Sequence, residues 1–239
     1  MGATRRFLAL EAARRRDLRL DAAETHHLLR VLRLRPGADI EVFDGAGNAF
    51  SARFVEVDGE ERGLVERGAP LPAREPGIRL AVGVAVPKGD GLTAIVRQLA
   101  EIGAGTIVPL TSERSEGRTA PDRLARWRAA ALSGARQSGR ATVPSVAAPA
   151  PFEGWLRGNL APDRWIASPR SARAVRQGTP GPRAAGGCVL AVGPEGGFSA
   201  GELEDAHRHG FRCLDLGERI LRTGTAAVVA AALLLRQAE

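Results

Sequence analysis

The stretch "CVLAVGPEGGFSAGELEDA", Cys188 to Ala206, decides the fold of this chain. Its first five residues are apolar without alternation, the pattern of a strand covered on both faces. A glycine-rich turn follows from Gly193 to Phe198, and then Ser199 with Glu202 three positions on, the spacing of a capping box that opens a helix. Strand, turn and helix in that order predict one βα unit of a parallel sheet, where ligands bind beyond the carboxyl ends of the strands. The turn lacks the GxGxxG spacing, and Pro194 and Glu195 stand where a pyrophosphate needs bare backbone amides. It therefore predicts a ligand other than a dinucleotide.

Working outward, the same grammar covers most of the chain. "IRLAVGVAV" (Ile78 to Val86) reads as another doubly covered strand, and "GLTAIVRQLAEIG" (Gly91 to Gly103) as a helix with a glycine stop. "TIVPL" is the next strand, and residues Pro121 to Ser138 form a basic helix with proline in its first turn. Short strands are expected around Val143 to Ala147 and Arg164 to Ala167. After "CVLAV" come a helix, the strand "RCLDL" and a last helix from about Thr225. The intervening "SPRSARAVRQGTPGPRAAGG" (Ser168 to Gly187) reads as a short helix or loop and a mobile connector. The sum is an α/β domain with a mostly parallel sheet.

The first 70 or so residues read differently. "DIEVFDGAGNAFSARFVEVD" alternates apolar and polar residues on both sides of Asp44 to Asn48, which predicts a hairpin. Before it, "DAAETHHLLRVLRL" predicts a short helix capped by Asp21, with Glu24 as the reciprocal partner. "GAPLPAREPG", Gly68 to Gly77, concentrates three prolines and two glycines and reads as the linker.

Composition bounds the function. A chain of 239 residues with 44% apolar content fills an ordinary core. Its longest apolar run, "AAVVAAALLL" from Ala226 to Leu235, is too short to span a membrane; it predicts a core helix or a subunit interface. The opening "MGATRRFLAL" has no signal-peptide core, so a cytoplasmic location is expected. Cys188 and Cys213 read as small buried hydrophobes, and no metal site is expected. The net charge of +7 is uneven: residues 1–72 hold 12 Arg and 12 acids, while the remainder holds 22 basic against 15 acidic groups. That imbalance suits a polyanion such as nucleic acid, although a chain whose one lysine is Lys88 also carries the mark of genome composition. His26 and His27 read as surface or RNA-contact groups. His207 and His209 read as favourable charges at a helix carboxyl end.

Three loops follow strands and carry the chemistry: "PKGDG" at 87–91, "GPEGG" at 193–197 and "GERILRTGTA" at 217–226. The last two together predict a clamp for a neutral heterocycle, made of backbone hydrogen bonds and of apolar contacts from Ile220 and Leu221. Gly196 and Gly197 are expected to allow positive φ and close backbone approach, which suits a flat ring against the main chain.

"LAVGPEGGFSAGELEDAHRHGF" followed by "LDLGERILRTGTAAVVAAALLL" resembles the carboxyl-terminal signature of the RsmE family of SPOUT methyltransferases, which methylate N3 of a uridine in small-subunit (16S) rRNA. "HHLLRVLRLRPGADIEVFDGAG", "LAEIGAGTIVPLTSERS" and "QSGRATVPSV" extend the resemblance over the chain. It implies a PUA-like or OB-like β-barrel RNA-binding domain over 1–70, a linker over 71–77 and a SPOUT domain with a deep trefoil knot over 78–239. It also implies S-adenosylmethionine as cofactor, a homodimer, and 16S rRNA or the small ribosomal subunit as partner. The cofactor residues carried over are Gly193, Glu195, Gly196, Gly197, Leu216, Gly217, Ile220 and Leu221, with Arg222 next to them. Arg222 is the candidate for stabilising charge on the uridine carbonyls. Arg30, Arg33, Lys88, Arg114, Arg136 and Arg140 are the RNA-contact candidates. Glu195 reads as a base or, in preference, as a group that shapes its turn.

Two departures stand out. Gly224 occupies a position where the family commonly has an acid, and "LTAIVRQ" lacks the family's aromatic residue. Ribose 2′-O methylation and a non-catalytic RNA-binding role in ribosome assembly are the alternative readings.

Overall fold

The computed structural model describes residues 5–72, 74–117, 121–159, 161–167, 177–178 and 187–236. The connector expected within Ser168 to Gly187 lies almost wholly outside the described residues. Two compact units emerge, Met1–Glu75 with Ala135–Val143, and Pro76–Gly134 with Pro144–Glu239.

In the first unit the strands are β1 (Arg6–Leu8), β2 (Asp17–Arg19), β3 (Asp39–Phe43), β4 (Ala49–Val57) and β5 (Gly63–Leu71), in the order β1-β3-β4-β5-β2. Only the β1–β3 pairing is parallel. Alternation sends Ile40 and Val42 of β3, and Phe50, Ala52 and Phe54 of β4, into a core with Phe7, Leu18, Leu28 and Val65. Register shifts between Phe50 and Ala52 and between Phe54 and Glu56 bend β4, as bulges do, and curl the sheet.

The hairpin forms as its pattern predicts. Asp44 Oδ1 accepts from the amides of Ala46 and Asn48, and Oδ2 from the Asn48 side chain, closing the loop. Helix α1 (Ala22–His26) is capped by Asp21, whose carboxylate accepts from the Glu24 amide, and runs on as a π-turn over His27–Val31. Glu24 does not return the cap. Its side chain is buried against Arg136, because a neighbouring guanidinium stabilises the carboxylate more than an exposed amide does. Gly68 to Leu71, read from composition as linker, form the end of β5, where pairing with β4 outweighs local glycine and proline content. Residues 135–143, read as part of the second domain, group with the first unit.

The second unit opens with β6 (Leu80–Ala85), α2 (Gly91–Ile102), β7 (Thr106–Thr111) and α3 (Pro121–Ser138). It continues through β8 (Ser145–Val146), β9 (Ala150–Pro151), α4 (Phe152–Gly158), β10 (Asp163–Ala167) and β11 (Gln177–Gly178). It ends with β12 (Cys188–Val192), α5 (Ala200–Arg208), β13 (Arg212–Leu214) and α6 (Thr223–Arg236). The sheet order is β11-β13-β10-β12-β6-β7-β8, with β9 also on β7, and its pairings are parallel.

Period-two alternation divides this sheet between two cores. Leu80, Val82 and Val84 of β6 and Cys188, Leu190 and Val192 of β12 face α2, α3 and α6. Val189 and Ala191 of β12, with Leu110 and Ile166, face α4 and α5. Strand β12 is buried along its whole length, as its unbroken apolar run predicts. Both cysteines are buried. Among the described residues no helix is long and apolar enough to cross a membrane, and no cluster of metal-ligating side chains occurs.

Candidate functional site

The carboxyl ends of β10 and β12 and the segment after β13 converge on one cleft. Ala167 ends β10, Val192 ends β12, and Leu216 lies just past β13; all three line it. The remaining wall comes from the two turns singled out in the sequence, through Gly193, Pro194, Glu195, Gly197, Gly217, Arg219, Ile220 and Leu221, with Thr223 and Ala226 of α6. About 590 Å³ within it is unfilled by protein atoms, counting the open solvent at its mouth.

Each turn is held by local bonds. The Gly197 amide donates to Pro194 O at 2.8 Å, and Gly197 takes φ +66°, which an L side chain adopts only with strain. Gly193 is tight for a different reason: a Cβ there would lie 3.1 Å from the Phe198 ring. The capping box is complete, with Ser199 Oγ accepting from the Glu202 amide and Glu202 Oε2 accepting from the Ser199 amide. Glu202 Oε1 also accepts from the amide of Glu113, which ties the segment after β7 to the start of α5. The other turn begins with Gly217, whose amide donates to Asp215 Oδ1.

Thr223 joins the two turns. Its buried hydroxyl donates to Gly193 O at 3.1 Å. Sequence reading overlooked Thr223, Arg219, Pro194, Val192, Ala167 and Ala226. Thr223 and Arg219 sit inside a quoted motif, whereas the inclusion of Ala167 depends on strand order alone.

The cleft gathers Gly193, Glu195, Gly197, Leu216, Gly217, Ile220 and Leu221 of the expected cofactor set. Gly196 stands outside the lining and does not adopt positive φ; its carbonyl accepts from Arg114 Nη1 at 2.9 Å. Glu195 is exposed and makes no ion pair among the described residues. Its turn is closed by backbone and by Ser199 and Glu202, so the shaping role read for its side chain is not observed. Arg222 is exposed and adjoins the lining without being part of it.

The RNA-contact candidates divide into three groups. Arg30 and Arg33 are exposed beyond α1, and Arg33 takes φ +51°. Lys88 is exposed, 3.5 Å from Glu116, and Arg114 clasps Gly196. Arg136 and Arg140 each have a carboxylate partner within the first unit. Arg136 pairs with buried Glu24, and Arg140, 3% exposed, donates through Nε and Nη2 to Glu75 Oε2. Arg140 is thus turned inward, whereas Arg136 is partly exposed and its Nε has no hydrogen-bond acceptor. His27 stacks edge-on against Phe7, and burial, with Arg136 nearby, lowers its pKa below the usual imidazole value. His209, at the end of α5, bonds Asp205 O through Nδ1.

The Gly224 departure has a packing correlate. A Cβ at Gly224 would lie 3.2 Å from Ile95 Cγ1, so α6 and α2 meet closely where the family's usual acid is missing. Ile95 belongs to "LTAIVRQ", the segment of the second departure.

Residues 74–235 match the family model described as RNA methyltransferase domain, and residues 20–62 the one described as RNA methyltransferase PUA domain. The chain is similar to Ribosomal RNA small subunit methyltransferase E of Synechocystis sp., 33% identical over 89% of this chain and 71% of that protein. Its similarity to the Mycobacterium bovis protein of the same name is 31% over 88% and 83%. The fold is similar to the crystal structure of a Ribosomal RNA small subunit methyltransferase E from Neisseria gonorrhoeae bound to S-adenosyl methionine. That match has a TM-score of 0.87, 29% identity, and coverage of 99% and 98%. Parallel sheet, paired turns and matched sequence together make this chain a member of the RsmE family of RNA methyltransferases.

Proposed function

We propose that this protein transfers a methyl group from S-adenosylmethionine to N3 of a uridine in 16S rRNA. The observation that carries the reading is the cleft built from the two turns and tied through Thr223 and Gly193, in a chain of this family. Apolar side chains and backbone make up most of its wall, and Glu195 and Arg219 are its charged members. Such a lining suits an adenosine and a single positive charge better than a phosphate. Gly193, Glu195, Gly197, Leu216, Gly217, Ile220 and Leu221 would hold the donor, which supplies an electrophilic methyl group on a sulfonium. Gly196 would act indirectly, through its carbonyl contact with Arg114.

The protein's task in this reaction is to align, to exclude water and to manage charge. As uridine N3 gives up its proton to water, negative charge spreads onto the two flanking carbonyl oxygens, and N3 then takes the methyl group as its bond to sulfur breaks and the donor leaves as a neutral thioether. Arg222, next to the cleft and exposed, would meet that charge. Arg30, Arg33 and Lys88 would contact the RNA.

A homodimer is part of the same reading. Val229 and Leu233, one helical turn apart on α6, are 38% and 42% exposed, and Ile220 at the cleft is 92% exposed. A second copy covering α6 would remove these apolar groups from water. A cytoplasmic location follows from the ribosomal substrate.

Calorimetry with S-adenosylmethionine and mass mapping of 16S rRNA from a deletion strain, with and without the gene restored, test the proposal. The expected result is donor binding and one methyl on N3 of uridine that returns with the gene. A methyl on a ribose, or none, overturns it.

A further inference from the structure

The first unit contains a cavity that methyl transfer does not use. It has about 660 Å³ of unfilled space, open solvent at its mouth included, and Arg6, Glu41, Arg74, Gln137 and Ser138 are among its walls. Arg6 is 5% exposed, and its Nε is a buried donor without a hydrogen-bond acceptor, 3.2 Å from Glu41 Oε2 in a pairing that lacks hydrogen-bond geometry. Its guanidinium lies 5.3 Å from the centre of the Phe43 ring. Glu41 therefore offsets the charge of Arg6 but leaves this one buried donor unmet, which is unfavourable until an acceptor reaches it. Arg74 is exposed at the same cavity and has neither an ion pair nor a hydrogen bond among the described residues.

Gly139 explains how the two cations come together. It has φ +79°, and a Cβ there would be 3.1 Å from Arg6 Nη1 and 3.4 Å from Arg74 Nη1. Two like charges therefore converge beside one glycine. Burial, with the charge of Arg74 adding to it, lowers the Arg6 pKa against the opposing pull of Glu41 and Glu75.

Other partners for the pair are already engaged. At the end of α3, Arg136 O accepts from the Gly139 amide, and Ala135 O accepts from the Arg140 amide and Ser138 Oγ. Glu75 accepts from Arg140 and from the amides of Ala141 and Thr142.

We propose that this cavity is an oxyanion site that takes one backbone phosphodiester of the RNA, gripped by Arg6 and Arg74 beside Gly139. Guanidinium forks match phosphate oxygens in pairs, and Ser138 and Gln137 are neutral polar groups at its wall. The inference rests on the reading that this protein acts on RNA. It adds Arg6 and Arg74 to the RNA-contact residues of the first unit.

Binding of the full-length protein to transcribed 16S rRNA across a salt series tests it. Arg74→Ala should weaken binding, and the slope of log K against log salt should become shallower by about 0.7–0.9, the loss of one phosphate contact. Arg74→Lys should keep the slope. S-adenosylmethionine affinity should not change, since its proposed cleft lies in the other unit. Inorganic phosphate titrated into 15N-labelled protein should shift the Gly139 amide, and RNA should displace it. Unchanged affinity and slope in an Arg74→Ala protein that melts like the wild type would overturn the site. Phosphate that RNA fails to displace would assign the cavity to a small free anion and overturn the RNA part. A wild-type protein that binds neither S-adenosylmethionine nor RNA would instead sink the proposed function itself.

Discussion

The Thr223 hydroxyl donates to the carbonyl oxygen of Gly193 at 3.1 Å, joining turns thirty residues apart in sequence. This bond is buried, and it makes one cleft of two loops that leave different strands. Thr223→Val keeps the shape and removes the donor, leaving Gly193 O unsatisfied at a cost of about 1–3 kcal/mol. Calorimetry should show weaker S-adenosylmethionine binding for Thr223→Val and near-normal binding for Thr223→Ser.

Arg222 and Arg114 are both cationic and both near the turns, yet they predict different phenotypes. Arg222→Ala should bind S-adenosylmethionine normally and lose turnover on the order of 10²–10³-fold, as removal of a charge-stabilising donor does. Arg114→Ala removes the contact to Gly196 O and should raise the donor's Kd more than it lowers kcat at saturation. Single-turnover kinetics with the donor in excess separates the two; equal effects on Kd and rate in both variants would contradict the assignment.

Gly197→Ala places a side chain at φ +66° and should cost about 1–2 kcal/mol of stability. Gly193→Ala instead presses a Cβ to 3.1 Å from the Phe198 ring. Both should lower the melting temperature, with donor binding reduced further, measured by thermal denaturation with and without S-adenosylmethionine.

Arg140→Ala leaves Glu75 without its guanidinium in a largely buried place. Breaking such a pair costs about 3 kcal/mol or more. Chemical denaturation should show that loss. RNA affinity measured well below the new melting temperature should stay close to the wild-type value, since this guanidinium faces inward.

Asp44 links loop closure to pH. Burial opposes its ionisation, but hydrogen bonds from the Asn48 side chain, the Asn48 amide and the Ala46 amide outweigh it and hold its pKa below the usual aspartate value. A carboxyl group with a depressed folded pKa stabilises fully above its unfolded value, about 3.9, and loses that contribution as pH falls through the folded value. Acid titration of stability should therefore show a loss that begins near pH 4 and is missing in Asp44→Asn, which keeps an acceptor without the charge.

Strand β12, the turn after it and the capping box of Ser199 and Glu202 were legible because each depends on residues within a few positions of one another. The hairpin at Asp44 and the bounds of α3 were legible for the same reason. Gly196 and Gly197 looked alike in sequence, and only the backbone path separated them, assigning positive φ to Gly197 alone. Glu24 was misread because its spacing fits a capping box while its partner, Arg136, lies more than a hundred residues away.

From sequence alone, local pattern determined the strand-turn-helix units, the two candidate turns and the basic balance of the chain, because covalent neighbours and period-two or helical spacing set them. Tertiary structure decided which loops meet, and so brought Ala167 and Thr223 into the cleft. It also decided which arginines keep their charge available, since a guanidinium's role depends on whether a carboxylate far along the chain reaches it first. Arg136 and Arg140 have such carboxylates; Arg74 has none among the described residues.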